Sequence, residues 1–262
     1  MTSADISADL RLALRIADTV APIALDRFRA LDLVVEAKPD RTPVTDADRA
    51  VELAVRDLLA AERPDDRILG EEYGGARATG RQWILDPIDG TANFLRGVPV
   101  WATLLSLAVD GRPVVGVVAA PALGRRWWAA VGEGAWTEDA AGAAPRRLGV
   151  SGVARLEDAS LSYNSLKGWQ EAGRVDALLA LSEAVWRTRA YGEFWSYLLV
   201  AEGALDVAAE YDLQPYDMAA LVPVVEEAGG RFSSIAGEVG PWHGSALATN
   251  GTLHDAALEA LR

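Results

Sequence analysis

The chain has 262 residues, 50% of them hydrophobic, and carries a formal charge of −13 from 38 acidic and 25 basic residues. This hydrophobic fraction allows a sizeable core in one large or two modest domains, whereas the acidic balance excludes a general attraction to nucleic acid or anionic lipid. The absence of cysteine excludes disulfides, a thiolate nucleophile and cysteine-ligated zinc, so oxygen ligands would dominate any metal chemistry.

The start of the chain has no targeting pattern. Its first ten residues are acidic where a secretory signal would be basic, and no run of about 18 apolar residues follows anywhere. We therefore expect a cytoplasmic protein with no membrane partner and no nucleic-acid partner.

Helices and strands are predicted to alternate along the chain. Apolar residues at helical spacing predict a helix from about residue 5 to 29, and TDADRAVELAVRDLLAAERP predicts a second one that ends at Pro64. Two apolar runs joined by Asp110–Gly111 predict a β-hairpin, and RRWWAAVGEGAW adds more strand. Beyond a Gly/Ala-rich stretch at 141–152, strands such as DVAAE and SALATN alternate with helices such as DMAALVPVVEEAGG. We predict one part over 1–150 and a second over 151–262.

Several common catalytic signatures are absent. VGEGAW has Thr137 where the motif G-x-G-x-x-G requires glycine, and the chain has no phosphate-binding G-x-x-x-x-G-K-[ST] and no G-x-S-x-G. The segment DADRA lacks the Thr or Val of D-x-D-x-[TV], the motif of phosphatases with an aspartate nucleophile. His243 and His254 have no sequence context typical of a catalytic base or a metal ligand, and we interpret them as structural or solvent-exposed.

Acidic residues gather at the ends of predicted elements. In WILDPIDGTANF, residues 83–94, a buried strand is predicted to end at Pro87, with Asp86 at its carboxyl end and Asp89 in the turn beyond. Glu71 follows a short apolar run, and Asp217 opens a predicted helix. Aspartates also cap turns. However, hard oxygen ligands at the ends of several elements favour Mg²⁺, with two ions that bind a phosphate.

The chain resembles the inositol monophosphatase family in four ordered motifs. WILDPIDGTANF is similar to the family signature W-x-x-D-P-[IL]-D-G-T-x-N-F, and VTDAD and LGEEYGG precede it as they do in the family. YDMAALVPVVEEAGG resembles the closing motif, with Tyr216 in place of the usual Trp. The resemblance spans nearly the whole chain and implies a layered αβαβα sandwich, α+β in its first part and α/β in its second.

The resemblance also implies site residues. The implied ligands of two or three Mg²⁺ ions are Glu71, Asp86, the backbone carbonyl of Ile88, Asp89 and Asp217, with Asp86 bridging two ions. Gly90 and Thr91 would hold the phosphate, and Thr91 with Asp48 would orient or activate the attacking water. Asp48 has an alternative interpretation as a helix cap with Thr45. Lys38 is interpreted as a solvated loop lysine.

Within the family, three stretches of this chain resemble the bacterial histidinol-phosphate phosphatases: KPDRTPVTDADRAVE, RGVPVWATLLSLAVDGRPVVGVVAAPALGRRWWAA and WRTRAYGEFWSYLLVAEGALDVAAE. The resemblance implies that the organic part of a small phosphorylated substrate contacts Arg189, Gly192, Glu193, Glu210 and Asp217. Glu193 replaces a small hydroxylated residue of inositol-specific relatives and would suit a substrate bearing ammonium and imidazole groups. We expect a homodimer.

Other functions remain open at this point. The same fold could hydrolyse inositol 1-phosphate, a sugar bisphosphate or a phosphoadenosine nucleotide, and some relatives instead bind RNA-processing or transcription machinery.

Overall fold

The computed structural model describes residues 3–38, 42–140 and 142–262. Residues 39–41, in one of the stretches that carry the resemblance, and residue 141 lie outside this description. The helices are α1 Ser3–Arg27, α2 Asp46–Glu62, α3 Thr91–Leu95, α4 Leu166–Glu171, α5 Val175–Ala184, α6 Glu193–Ala201, α7 Pro215–Met218, α8 Leu221–Glu227 and α9 His254–Ala260. The strands are β1 Val35–Ala37, β2 Pro43–Thr45, β3 Arg67–Gly70, β4 Arg81–Asp89, β5 Ala102–Val109, β6 Arg112–Ala120, β7 Arg125–Ala130, β8 Gly134–Glu138, β9 Arg146–Arg147, β10 Ser160–Ser162, β11 Arg187–Arg189, β12 Val207–Tyr211, β13 Arg231–Ser233 and β14 Ser245–Thr249.

The first sheet has seven strands in the order β3-β4-β5-β6-β7-β8-β9. Only the first pair is parallel; the others are antiparallel neighbours, as short connections allow. One face of the sheet packs on α1 and α2, whose apolar stripes bury residues such as Val20 and Val51 against Leu105 and Val117. Separately, β1 and β2 form a two-stranded hairpin.

The second sheet has five strands in the order β11-β10-β12-β14-β13. Its first three strands are parallel, and the last two pair in an antiparallel manner. One face packs with α6 and α8 against the free face of the first sheet, in a core that includes Leu104, Trp127, Leu221 and Ala246. The other face is covered by α4, α5 and α9.

These layers run α1/α2, first sheet, α6/α8, second sheet, α4/α5/α9, which confirms the predicted αβαβα sandwich. The chain passes from the first sheet to the second between residues 148 and 159, around the predicted boundary at 150. Three expectations stay predictions: the division into two separate domains, the homodimer and the cytoplasmic location. Every helix in the described ranges is too short or too polar to cross a bilayer.

Most predicted elements lie where the sequence patterns indicated. The hairpin turn has positive φ at both central residues, 50° at Asp110 and 81° at Gly111, as the favoured two-residue hairpin turn requires. The single helix predicted over DMAALVPVVEEAGG is instead two short helices, α7 and α8, which are separated at Ala219–Ala220 although both residues keep right-handed helical dihedrals.

The prediction that Pro87 ends its strand is wrong. Strand β4 continues to Asp89, and its pairing with β5 shifts register between Asp86, opposite Leu104, and Asp89, opposite Ala102. A bulge leaves a residue without a ladder partner, so the missing N–H of Pro87 breaks no pairing there. The bulge sets the direction of both aspartates, which is important for the site.

The first sheet and the middle helical layer are in close contact at Gly116 on β6. A Cβ atom on this glycine would lie 2.1 Å from the carbonyl oxygen of Ala220 and 2.8 Å from Cγ of Pro223. On the neighbouring strand, the Ser106 hydroxyl lies 3.1 Å from the carbonyl oxygen of Ala219. The middle helical layer therefore rests directly on the backbone of the first sheet.

We expect Gly116→Ala to lower the free energy of unfolding by about 3 kcal/mol, because a backbone oxygen cannot move away from the added methyl group as a side chain could. Urea denaturation would measure this loss. The matched control is Gly152→Ala, where the added methyl would meet no atom within 4 Å and stability should hardly change. Equal effects at the two positions would contradict the close approach.

Candidate active site

Three aspartates meet in a cleft between the two sheets. Carboxylate oxygens of Asp86, Asp89 and Asp217 all lie within 4.8 Å of one another. The first two come from the bulged end of β4, and the third comes from α7. Asp86 is 2% exposed, and the other two are half-buried. The bulge and the short helix together build one acidic cluster from residues far apart in sequence.

Backbone N–H groups hold one oxygen of each aspartate. Asp86 Oδ1 accepts from the N–H of Ile88 at 2.9 Å, and Asp89 Oδ2 accepts from that of Phe194 at 2.8 Å. Asp217 Oδ2 accepts from the N–H of Gln214 at 2.7 Å, which also caps α7. Each carboxylate is therefore fixed in orientation, and the three lie close enough together to share a cation.

Glu71 follows β3 and lines the cleft together with the three aspartates. Lys38 Nζ donates to Glu71 Oε1 at 2.7 Å and lies 2.7 Å from Glu72 Oε1, so the interpretation of Lys38 as a solvated lysine is wrong. Glu52 was not among the residues predicted from the sequence. It is a fully buried residue of α2, and its carboxylate accepts hydrogen bonds from the N–H groups of Glu72 and Tyr73. A glutamate on the apolar face of an amphipathic helix was the signal that could have found it.

The cluster has more negative charge than its surroundings balance. Burial, followed by the charges of neighbouring carboxylates, raises the pKa of Asp86 and of Asp89 well above the ordinary value, and burial raises the pKa of Asp217 to about 7. The described cationic residues that line the cleft are already paired: Lys38 with Glu71, Arg49 with Glu36, and Lys167 with Glu171. Carboxylates crowded without counter-charge are a donor set that suits divalent cations.

Asp48 both caps a helix and contacts Thr91, which lines the cleft. Its Oδ2 accepts from the N–H of Thr45 at 2.8 Å while the Thr45 hydroxyl accepts from the N–H of Asp48, the reciprocal capping box. Its Oδ1 lies 3.3 Å from the hydroxyl of Thr91, which is also 3.1 Å from the carbonyl oxygen of Ile88. Burial raises the pKa of Asp48. The two interpretations of this residue are therefore compatible, one for each oxygen.

Gly90 lies where the chain turns from β4 into α3. Its φ is 84°, and a Cβ atom there would be 3.0 Å from the carbonyl oxygen of Val100 and 3.2 Å from Cγ of Glu193. Both the dihedral and the space favour glycine. Gly90 and Thr91 line the cleft beside the aspartates.

Two further carboxylates, those of Glu193 and Glu210, line the same cleft. Burial raises the pKa of Glu210 to about 8, and it also raises the pKa of Glu193. Gly192 has φ 89° and ψ 156°, a region essentially reserved for glycine, and Glu193 has a positive φ of 51°. Arg189 is exposed on β11 with its guanidinium donating to the carbonyl of Thr188, away from the residues that line the cleft.

The layered fold and the acidic cleft define a metal-dependent phosphatase class. The chain belongs to the inositol monophosphatase family, whose model matches residues 5–262, and it is a phosphomonoesterase. It is 59% identical to the histidinol-phosphatase of Mycobacterium tuberculosis, over 97% of each chain, and 54% identical to that of Streptomyces coelicolor, over 95% of each. An inositol monophosphatase structure from Zymomonas mobilis, 34% identical, superposes with a TM-score of 0.84 over 100% of this chain and 99% of that one.

The two histidines lie outside the acidic cleft. His243 Nδ1 is 3.3 Å from Glu238 at the surface, whereas His254 is 1% exposed between Ser233 and Thr249. The Ser233 hydroxyl donates to the carbonyl of Ser234, so it accepts from Nε2, and the Thr249 hydroxyl donates to Nδ1. This arrangement suits a neutral imidazole, and burial lowers the pKa of His254 to about 4.

We expect His254 to make stability depend on pH. Between its ordinary pKa near 6.5 and the folded value, the unfolded chain binds a proton that the folded one excludes, so stability falls as the pH falls. The contribution lost between pH 7 and pH 5 is about 2 kcal/mol. Urea denaturation of wild type and His254→Gln at both pH values would measure this loss. The difference in free energy of unfolding between the two proteins should become smaller from pH 7 to pH 5. The control His243→Gln should keep the wild-type pH dependence, and a constant difference for His254→Gln would refute the assignment.

Proposed function

We propose that this protein hydrolyses L-histidinol phosphate to L-histidinol and phosphate, in keeping with its similarity to two histidinol-phosphatases at 59% and 54% identity. One observation of the cleft carries the proposal. Glu193 and Glu210 add two carboxylates to the lining of the cleft that holds the aspartate cluster, where the organic part of a bound phosphomonoester would contact them. Charge-assisted hydrogen bonds from an ammonium or imidazolium group would satisfy them, whereas a neutral polyol would leave their charge unbalanced.

We further propose that two or three Mg²⁺ ions bind at Glu71, Asp86, the backbone carbonyl of Ile88, Asp89 and Asp217, with Asp86 shared between two ions. The raised pKa values of Asp86, Asp89 and Asp217 support this, since the cluster is costly without cations. When bound, Mg²⁺ supplies Lewis-acid stabilisation of the charge that gathers on the phosphate oxygens.

Thr91 and Asp48 are proposed as the pair that orients the attacking water. The Thr91 hydroxyl can donate to Asp48 Oδ1, 3.3 Å away, which leaves its lone pairs to accept from water. Because Asp48 Oδ2 is held by Thr45, only Oδ1 is free to take the proton. The raised pKa of Asp48 makes it a better base than an exposed aspartate.

We call the part of the cleft formed by Gly192, Glu193 and Glu210 the organic side, because it would face the organic part of the substrate. Gly192 and Glu193 form a turn there beside Gly90, and Glu210 lies on β12. We propose that Glu193, Glu210 and Asp217 contact the substrate there. Arg189 stays a prediction, since its guanidinium would have to turn from its contact with Thr188 to reach the cleft.

A substrate panel tests the function directly. Specificity constants for histidinol phosphate and inositol 1-phosphate, with added Mg²⁺, would be compared at a pH that keeps the histidinol amine charged. We expect a preference for histidinol phosphate of at least tenfold, equivalent to about 1.4 kcal/mol. Equal constants, or a preference for the inositol ester, would leave a phosphomonoesterase with a different substrate.

Asp86→Asn tests the metal proposal by a readout that does not need activity. Removing one charge from the crowded cluster should raise the metal-free thermal midpoint by about 2–4 °C, equivalent to about 1 kcal/mol. Mg²⁺ should raise the midpoint of the wild type but not that of the variant, because a neutral amide is a poor bridging ligand. The control is Asp206→Asn, a buried aspartate bonded to Ser151 and to the N–H of Ser160, which should keep the Mg²⁺ response. A full Mg²⁺ response in Asp86→Asn would reject the ligand assignment.

Thr91→Val tests the water-orienting pair. The change keeps the shape of the side chain and removes the hydroxyl, so we expect turnover to fall by a factor of about 10²–10⁴ with the Mg²⁺-induced thermal shift retained. The control Thr137→Val removes a buried hydroxyl that donates to the carbonyl of Arg126, and should affect stability alone. If Thr91→Val lost stability in proportion to activity, a structural role for the hydroxyl would be the better explanation.

A further inference from the structure

Two asparagines contact the turn and the carboxylates at the organic side of the cleft. We propose that Asn93 and Asn164 are positioning residues that fix the orientation of Glu193 and Glu210, and thereby set the preference for a cationic leaving group. The inference deepens the proposed function and rests on it. Neither asparagine was among the site residues predicted from the sequence, although Asn93 lies within the WILDPIDGTANF motif.

Asn164 joins the three residues of the organic side. Its Nδ2 donates to Glu210 Oε2 at 2.6 Å and to the carbonyl oxygen of Glu193 at 3.4 Å, and its Oδ1 accepts from the N–H of Gly192 at 3.2 Å. The hydroxyl of Ser196 donates to the same Oδ1. A backbone N–H can only donate and a carbonyl can only accept, so the orientation of the amide is determined by its neighbours.

Glu210 is held through one oxygen only. Besides Asn164, the hydroxyl of Tyr197 donates to Oε2 at 3.0 Å, and among the described residues no donor contacts Oε1. Because Tyr197 is buried and lies on α6, its hydroxyl is fixed relative to the sheet. The geometry therefore leaves Oε1 of Glu210 as the oxygen available to a ligand.

Glu193 is held from the opposite part of the chain. Asn93, on α3 in the phosphate side of the cleft, donates from Nδ2 to Glu193 Oε1 at 3.2 Å and to the carbonyl oxygen of Val100 at 2.9 Å. The same turn is anchored by the N–H of Phe194, which donates to Asp89. The carboxylate of Glu193 is thus positioned by α3, the helix that follows Asp86 and Asp89 in the chain.

The backbone supports the same interpretation. Glu193 has φ 51° and Asn164 has φ 47°, and a positive φ costs a glutamate free energy that its surroundings must supply. Asparagine tolerates this conformation better than most residues, so Asn164 can hold the turn without adding comparable strain. Such strained dihedrals persist where neighbouring contacts determine the geometry, as the two asparagines do here.

The experiment compares Asn164→Gly and Asn93→Ala with wild type on histidinol phosphate and inositol 1-phosphate. Glycine keeps the positive φ of residue 164 and removes the amide. We expect the specificity constant for histidinol phosphate to fall about tenfold in each variant, mainly through KM, because a freely rotating carboxylate loses part of its binding contribution. The constant for the neutral ester should change less than about twofold, the size of an ordinary surface effect.

Asn250→Ala is the matched control. Asn250 is a buried asparagine of the same part of the chain whose amide donates to Ser151 and to the carbonyl of Val153, outside the cleft. Its loss should lower stability while leaving the ratio of the two specificity constants unchanged. A change in this ratio in the control as large as in Asn164→Gly would overturn the inference, since any loss of stability would then produce the effect.

A mutant cycle separates positioning from direct contact. If Asn164 acts through Glu193 and Glu210, the addition of Asn164→Gly to a variant that carries Glu193→Gln and Glu210→Gln should cause no further loss of preference. Additive losses would overturn the inference. Should Asn164→Gly fail to fold, Tyr197→Phe removes the other donor to Oε2 without a large cavity and should lower the preference about threefold; an unchanged preference would overturn it.

The two proposals fail in different ways. A wild type without preference for histidinol phosphate refutes the proposed function whatever the variants do. A wild type with the preference, together with asparagine variants that keep it, refutes positioning and leaves the function intact.

Discussion

Repulsion among carboxylates that are withdrawn from water is the constraint on which this structure depends. Burial raises the pKa values of Asp86, Asp89 and Asp217, whose carboxylates lie within 4.8 Å of one another, and the charges of neighbouring carboxylates raise them further. A fold can hold such a cluster if the surrounding backbone is rigid and if protons or a cation compensate the charge. The seven-stranded sheet provides the rigid backbone, and the bulge of β4 orients Asp86 and Asp89 on it. The oxygen donors of the cluster are best suited to a divalent cation, which would compensate the charge.

The two halves of the chain depend on each other at this point. Asp89 belongs to the first sheet but accepts a hydrogen bond from the N–H of Phe194, at the start of a helix in the middle layer. The close contact of Gly116 with Ala220 brings the following helix against the same sheet. Packing between the layers therefore determines the distance between the phosphate side and the organic side of the cleft, although the core residues that provide it touch no ligand.

Several residues serve stability and chemistry with different atoms. Asp48 caps α2 with Oδ2 and faces Thr91 with Oδ1. Glu52 is fully buried, yet its carboxylate orders the turn that carries Glu71 and Glu72. For such residues a single substitution changes both properties, so structural and catalytic roles have to be separated by measurements that respond to only one of them.

The sequence by itself determined the order of helices and strands and the acidic character of the site, because helical and strand periodicities and the WILDPIDGTANF motif are local patterns, whereas the layered αβαβα fold was implied by the resemblance of its motifs to the family. It could not determine which way the carboxylates point. The strand runs through Pro87 because a bulge lies there, and a bulge is defined by the partner strand. Lys38, Asn93 and Asn164 likewise acquire their partners only when distant segments meet, since hydrogen bonds across 33 to 100 residues leave no periodic trace in the chain.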